Sequence, residues 1–330
     1  MLVIDGRSVR SLLPMAECIE RMAEALAALA RGEAAVPLRS LLWLPERTGL
    51  LGMMPAYYLP AGVMGIKVVS VMPGNHGTRY DAHQGGVLLF ETKHGQPLAL
   101  VDATEITAIR TAAVSAVATR LLARDDAGDL AILGSGVQAA SHLEAMALAR
   151  PLRRVRVWSR TPEHASRFAV EMSARHSMAI EVVSAARAAV ADADLICTTT
   201  SAREPVLHGE WIAPGAHVNA VGSSVRTARE LDADVITRSR VFVDRRESAL
   251  NEAGDLLLAR AEGAFDGDPI IGELGDVLIG AVSGRRTPDE ITIFESLGLG
   301  VEDVVAAHHV YEKALERGEA LEAEIGGERT

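Results

Sequence analysis

From residue 129 onward the chain alternates short apolar runs with helical stretches, and no other feature constrains its fold as tightly. Residues 130–133, 155–158, 180–183, 195–198, 217–221 and 241–244 read as strands, and 137–149 and 162–175 as helices. Near-continuous apolar strands separated by helices predict a parallel sheet covered on both faces. The first strand runs into Leu133-Gly134-Ser135-Gly136-Val137-Gln138-Ala139, a GxGxxA pattern between a predicted strand and a predicted helix. In that setting the pattern reads as a dinucleotide fingerprint. Gly134 permits the tight turn, Gly136 lets backbone N–H groups reach a pyrophosphate, and small Ala139 lets helix and strand approach. The helix N-terminus adds a partial positive charge facing the phosphates. A glycine turn without a ligand is the alternative, and the flanking elements weigh against it.

The second strand leads into Trp158-Ser159-Arg160-Thr161, where an NAD-specific site usually carries an acid against the ribose 2′-hydroxyl. Ser159, Arg160 and Thr161 offer hydroxyls and a guanidinium suited to a 2′-phosphate. This favours NADPH, with NADH as the alternative; a solvated surface arginine is the bland reading.

The first 128 residues have a different texture. Met15, Ile19, Met22, Leu26 and Leu29 form the stripe of an amphipathic helix over 14–31. Residues 65–71, 86–90 and 97–101 read as strands, the last two joined by a hairpin through Glu91–Gln96 and hence antiparallel. A long helix is expected over 104–124, and Asp125-Asp126-Ala127-Gly128-Asp129 then breaks the pattern near a domain junction. The tail over 301–323 reads as helix again and shares the Ala/Leu/Glu texture of the first domain, onto which it could fold back.

Arg39, Lys67 and Arg110 sit inside apolar text, and a buried cation is costly unless paired. Singly, Arg110 could pair with Glu105 or Asp102, and Lys67 could reach out to an edge. Together the three suggest a cationic pocket for a small carboxylate, which Gln84 and His83 could line, although loop polarity explains those two equally well. No GxSxG, HExxH or CxxC occurs and the ten histidines lack ligand spacing, so no metal site is expected. His308 and His309, adjacent on a helix, read as surface residues.

With 33 basic and 44 acidic side chains, the net charge of −11 disfavours nucleic acid and anionic membranes. Cys18 and Cys197 cannot build a disulfide framework and read as inert core thiols. Residues 48–66 are uncharged but hold Pro55, Pro60 and four glycines, which suit buried loop and strand rather than a membrane span. The start Met1-Leu2-Val3-Ile4-Asp5 lacks the basic flank of a secretion signal, so a cytoplasmic location is expected.

The sequence resembles the ornithine cyclodeaminase and mu-crystallin family over most of its length. The likeness rests on Met64-Gly65-Ile66-Lys67, His83-Gln84 through Phe90, Gly95-Gln96-Pro97-Leu98-Ala99, Ala108-Ile109-Arg110-Thr111-Ala112-Ala113 and the GxGxxA loop. It continues through Asn219-Ala220-Val221-Gly222-Ser223, Arg229-Glu230-Leu231-Asp232, Ile293 to Gly298 and Val301-Glu302-Asp303. The resemblance implies an α/β chain: a Rossmann dinucleotide-binding domain over 119–298 and an α+β substrate-binding and dimerisation domain built from 1–118 and 299–330. By the same resemblance Arg39, Lys67 and Arg110 hold the substrate carboxylate, with the lysine close to the reacting nitrogen. Thr111 then adjoins the cofactor phosphates, Thr198, Thr199 and Thr200 flank the dinucleotide, and Val221 to Ser223 run beside the nicotinamide. Cyclodeaminases have an aspartate where this chain has Ser224, and serine cannot serve as a base near neutral pH. That departure and the absent acid after the second strand point to the reductase branch. The expected activity is NAD(P)H-dependent reduction of a small cyclic 2-imino acid to L-proline or L-pipecolate, in a homodimer. Cyclodeamination of ornithine or lysine, an alanine-type dehydrogenase, and a silent NADPH-binding protein are the rivals.

Overall fold

The computed structural model describes residues 1–75, 78–318 and 320–325. The chain divides into two compact units, Met1–Arg110 with Leu299–Thr330, and Thr111–Gly298; the first division falls inside the helix Ala103–Leu122.

In the first unit Leu50–Tyr58, Val63–Val71, His83–Glu91 and Pro97–Asp102 pair antiparallel in chain order, as the hairpin signal predicts for the last pair. Leu2–Ile4 adds parallel to Pro97–Asp102, and Leu321–Glu322 closes that edge antiparallel to Leu2–Ile4. The tail therefore departs from the expected helix over 301–323. Its helix is Gly300–Arg317, and Leu321–Glu322 is extended and pairs with the backbone of Leu2 and Val3. The uncharged stretch 48–66 supplies one strand and the start of the next, joined by a short 3₁₀ turn.

Period-two alternation gives this sheet two unlike faces. Leu50, Met54, Ala56, Val63, Lys67, Val87, Leu89, Ala99 and Val101 are buried. They lie under the helix Gly300–Arg317, which packs on Leu50–Tyr58, on Val63–Val71 and on the helix Met15–Ala30. That helix buries Met15, Ile19, Met22 and Leu26 of the predicted stripe, with Cys18 beside them, while Leu29 is only half-buried. The opposite face carries Leu51, Met53, Tyr57, Met64, Ile66, Leu88, Phe90 and Leu100, with Tyr57, Met64 and Leu100 exposed. No helix of the first unit covers it among the described residues.

The second unit is a parallel sheet. Its strands run in the order Ile180–Val182, Arg154–Trp158, Asp129–Leu133, Leu195–Thr198, His217–Ala220, Ile291–Glu295, Ser239–Val243 and Ile270–Glu273. Helices such as Val137–Ala149 and Pro162–His176 connect them, which makes the unit a Rossmann fold. Ala131, Leu133, Ile196, Val218, Val241 and Ile293 anchor its core against Val190, Leu231 and Leu256. Cys18 and Cys197 are buried and free, and burial pushes the Cys197 thiol up to about 12. His308 and His309 depart from the surface reading: both are largely covered, and His309 Nε2 lies 2.8 Å from Glu17 Oε2. Among the described residues no helix is long and apolar enough to cross a membrane.

Candidate active site

The glycine loop of the second unit is shaped by two different needs. Gly134 has φ +125°, and a Cβ there would lie 2.7 Å from the Thr199 carbonyl oxygen, so only glycine fits between these strands. Gly136 is exposed, and a Cβ there would meet nothing within 4 Å. It caps the helix Val137–Ala149 with no side-chain hydrogen bond, so the first-turn N–H groups keep a clear approach that a side chain at 136 would fill. This cradle fits a dinucleotide pyrophosphate. Beside it Val137 is exposed and Gln138 half-buried. The Ser135 hydroxyl donates to Ser159 Oγ at 3.1 Å, joining the ends of the first two strands. Arg160 is exposed there, and Thr161 opens the helix Pro162–His176. Thr111 is buried at the start of the unit.

The loops after Leu195–Thr198 and His217–Ala220 are held by one carboxylate that sequence reasoning gave no role. Fully buried Glu230 accepts from Thr198 Oγ1 at 2.7 Å and from Gly222 N at 2.6 Å on one oxygen. Its other oxygen accepts from Thr200 N and Thr200 Oγ1, both at 2.6 Å. Thr199 instead donates its N–H and hydroxyl to the Leu133 carbonyl, and Val221 is buried. The Ser223 hydroxyl donates to Glu295, and Asp255 accepts from Glu230 N and Leu231 N at 2.8 and 2.9 Å.

Burial pushes the Asp255 carboxyl up to about 7, and burial together with the Asp255 charge pushes Glu295 well above the carboxylate range. The pair therefore retains a proton where free carboxylates are ionised. Between the ordinary value of 3.8 and about 7 the folded chain binds more protons at Asp255 than the unfolded one. Its stabilising contribution is full at acid pH and is lost as pH rises through about 7. Asp255→Asn keeps the acceptor for the two N–H groups and removes the repulsion. We expect its melting temperature to exceed wild type by roughly 3–6 °C at pH 8 and to converge with it near pH 5. Equal differences at both pH values would refute the assignment. Buried His142 and His217, pushed down to about 4 and about 3 by burial, act with the opposite sign: their stabilisation is present above 6.5 and lost as pH falls. Both proteins share them, so the difference isolates the acid pair.

The first unit holds the cations. Lys67 is 3 % exposed, its Nζ 2.8 Å from Asp303 Oδ2 and 3.4 Å from Thr107 Oγ1. Buried Arg110 donates from Nε to Asp303 Oδ1 at 3.0 Å and from Nη1 to Glu302 Oε2 at 2.8 Å. Two expectations are corrected here. Glu105 pairs with Arg10 and Asp102 accepts from Glu105 N, so neither is the partner of Arg110. Lys67 does not reach an edge, because the helix Gly300–Arg317 brings Asp303 to it. Burial lowers the Lys67 ammonium to about 8; Asp303 raises it, and the charges of Arg110 and half-buried Arg39 press it down. Gln84 is not on this face. Register puts Val87 opposite Lys67 and His83 opposite Val71, so alternation turns Gln84 to the other side, where its amide donates to the Asp81 carbonyl at 3.0 Å.

A family model for the ornithine cyclodeaminase/mu-crystallin family matches residues 2–318. The chain belongs to this family. It is 43 % identical over 276 residues to ketimine reductase mu-crystallin of Mus musculus, covering 84 % of each chain. It is 38 % identical to a Δ1-pyrroline-2-carboxylate reductase of Bacillus cereus over 319 residues, which is 96 % of this chain and 98 % of the relative. The Thermococcus litoralis Δ1-pyrroline-2-carboxylate reductase, solved in complex with NADH and L-proline, superposes with a TM-score of 0.95 at 39 % identity. That alignment covers 98 % of this chain and all of the other.

Within this family member, the residues that sequence reasoning left without a role are acids: Glu302 and Asp303 beside the cations, and Glu230, Asp255 and Glu295 in the Rossmann unit. Glu302 and Asp303 lie in apolar text, so the rule that singled out Arg39, Lys67 and Arg110 could have found Val301-Glu302-Asp303-Val304-Val305 as their counterpart, whereas the charged surroundings of Glu230 gave no such signal.

Proposed function

We propose that this chain reduces small cyclic 2-imino acids, Δ1-pyrroline-2-carboxylate or Δ1-piperideine-2-carboxylate, to L-proline or L-pipecolate with NAD(P)H. One arrangement carries the reading: a buried lysine bonded to Asp303 beside Arg110, its ammonium lowered to about 8 by burial, in a chain similar over nearly its whole length to reductases of such imines. When bound, the nicotinamide supplies the hydride. Gly134, Gly136 and the helix Val137–Ala149 would hold its pyrophosphate, with Thr111, Val137, Gln138, Thr198, Thr199, Val221 and Ser223 around it. Ser159, Arg160 and Thr161 would meet a 2′-phosphate, which favours NADPH.

The chain's own residues then have two tasks. Arg39, and Arg110 held rigid by Glu302 and Asp303, orient the substrate carboxylate. Lys67 keeps a proton at the imine nitrogen, because a protonated C=N is the better electrophile and the product amine needs that proton. In the balanced reaction the carbon gains a hydride, the nitrogen gains a proton and the C=N π bond is lost. Ser224 offers no carboxylate for cyclodeamination.

Absorbance at 340 nm with both imines and both reduced cofactors tests the reading. The expected result is turnover, faster with NADPH; folded protein with no turnover on either imine would end it. The uncovered apolar face of the first unit supports a homodimer, and light scattering on the same sample should read twice the 35.0 kDa chain mass.

A further inference from the structure

Of the 33 lysines and arginines in this chain only three are lysines, Lys67, Lys93 and Lys313. Lys93 is exposed and Lys313 bonds Glu17 in a half-exposed pair, so Lys67 alone is buried. The other buried cations are arginines, Arg110, Arg156 and Arg229. A guanidinium suits a carboxylate better and never releases its proton, whereas an ammonium can. Lysine thus stands at the buried position where a cation must also exchange a proton.

We infer that Asp303 is the positioning residue for that proton: it divides its two oxygens between Lys67 and Arg110, and so fixes where the ammonium points in imine reduction. The inference rests on the function proposed above. Several elements converge on the ammonium. Asp303 and Glu302 reach in from the helix Gly300–Arg317, Arg110 and Thr107 from the helix Ala103–Leu122, and the charge of Arg39 bears on the same ammonium. Cys18, from the helix Met15–Ala30, faces Arg110 and Glu302 as a neutral thiol, raised by burial. The strand neighbours paired with Lys67, Met54 and Val87, are apolar. Asp303 and Glu302 are each fully buried, so their charges act on Lys67 and Arg110 with little screening by water.

The sign follows from the charges. Burial holds Lys67 down at about 8 and Asp303 holds it up. Reduction needs the protonated form, so activity is present below the Lys67 value and falls as pH rises through it. Asp303→Asn should lower that value and move the alkaline limb to lower pH. Arg110→Met removes the opposing cation and frees Asp303 for Lys67, so it should move the lysine titration upward.

With three lysines the test is direct. Lysine-labelled protein gives three side-chain NMR signals, assigned with Lys93→Arg and Lys313→Arg. The wild type should show one signal titrating near 8. In Asp303→Asn that signal should move down by about one unit or more, with kcat at pH 8.5 falling about tenfold and KM changing less than about threefold. Asp303→Glu should restore the titration but not the full kcat, because the added methylene displaces the ammonium. If Asp303→Asn does not fold, the upward shift in Arg110→Met decides. A Lys67 signal unmoved in these folded variants, or a shifted signal with an unshifted alkaline limb, overturns the inference. Absence of turnover on both imines in the wild type would instead remove the substrate assignment, while the NMR titration still reports whether Asp303 sets the Lys67 proton.

Discussion

Gly136→Val should fold normally and lose its affinity for NAD(P)H, while Gly134→Ala, a smaller change two residues away, should fail to fold stably. At 136 the backbone is extended (φ −92°, ψ −167°), which a β-branched residue adopts without strain, and a Cβ meets no atom within 4 Å. The added methyls would occupy the approach to the first-turn N–H groups of the helix Val137–Ala149. Fluorescence titration with NADPH should show a loss of about 100-fold or more, roughly 3 kcal/mol, with thermal melting within about 2 °C of wild type. At 134 the φ of +125° disfavours any L side chain, and a Cβ would press on both the Thr199 hydroxyl and its carbonyl. The carbonyl belongs to the backbone next to the central strand Leu195–Thr198 and cannot turn aside. Several kcal/mol of destabilisation, about 3 or more, are expected from strain and overpacking together. Binding retained in Gly136→Val would remove this loop from cofactor recognition.

Lys67→Met should leave NADPH binding intact and reduce kcat by about 10²–10⁴-fold, the range for loss of a positioned proton donor. Methionine matches the length of the lysine stem without its charge. Asp303, fully buried, then loses one of its two cationic partners but keeps Arg110 at 3.0 Å, which limits the cost to the fold. Stopped-flow detection of NADPH oxidation with a cyclic imine measures the chemical step directly. A variant with full activity would exclude Lys67 from proton transfer.

How far the sequence revealed this arrangement depended on the range of the interaction involved. The strands and helices of the Rossmann unit were readable because periodicity and turn chemistry are local, and the GxGxxA loop carries its own context within a few residues. The basic trio was readable for a related reason: a cation in apolar text is anomalous wherever it lies. Its partners were not, because Arg110 is joined to Glu302 and Asp303 across almost two hundred residues while Glu105 and Asp102 sit nearby on the chain. Proximity in sequence favoured the wrong acids. The tail shows the same limit. Helical texture predicted the segment through 323, but the unpaired edge of Leu2–Ile4, at the other end of the chain, takes Leu321–Glu322 as a strand. Gln84 was misjudged for a simpler reason. Its polarity was legible, but which face it occupies depends on a register that only the pairing with Val63–Val71 sets.

The return of the tail to the first unit has a bearing on biosynthesis. Arg110 leaves the ribosome nearly two hundred residues before the two acids that neutralise it, and Lys67 more than two hundred before them. Until Glu302 and Asp303 emerge, burying either cation is electrostatically unfavourable, whereas Thr111–Gly298 is continuous in the chain. Charge compensation therefore predicts an order of maturation, with the Rossmann unit completing during translation and the unit that carries Lys67 only at its end.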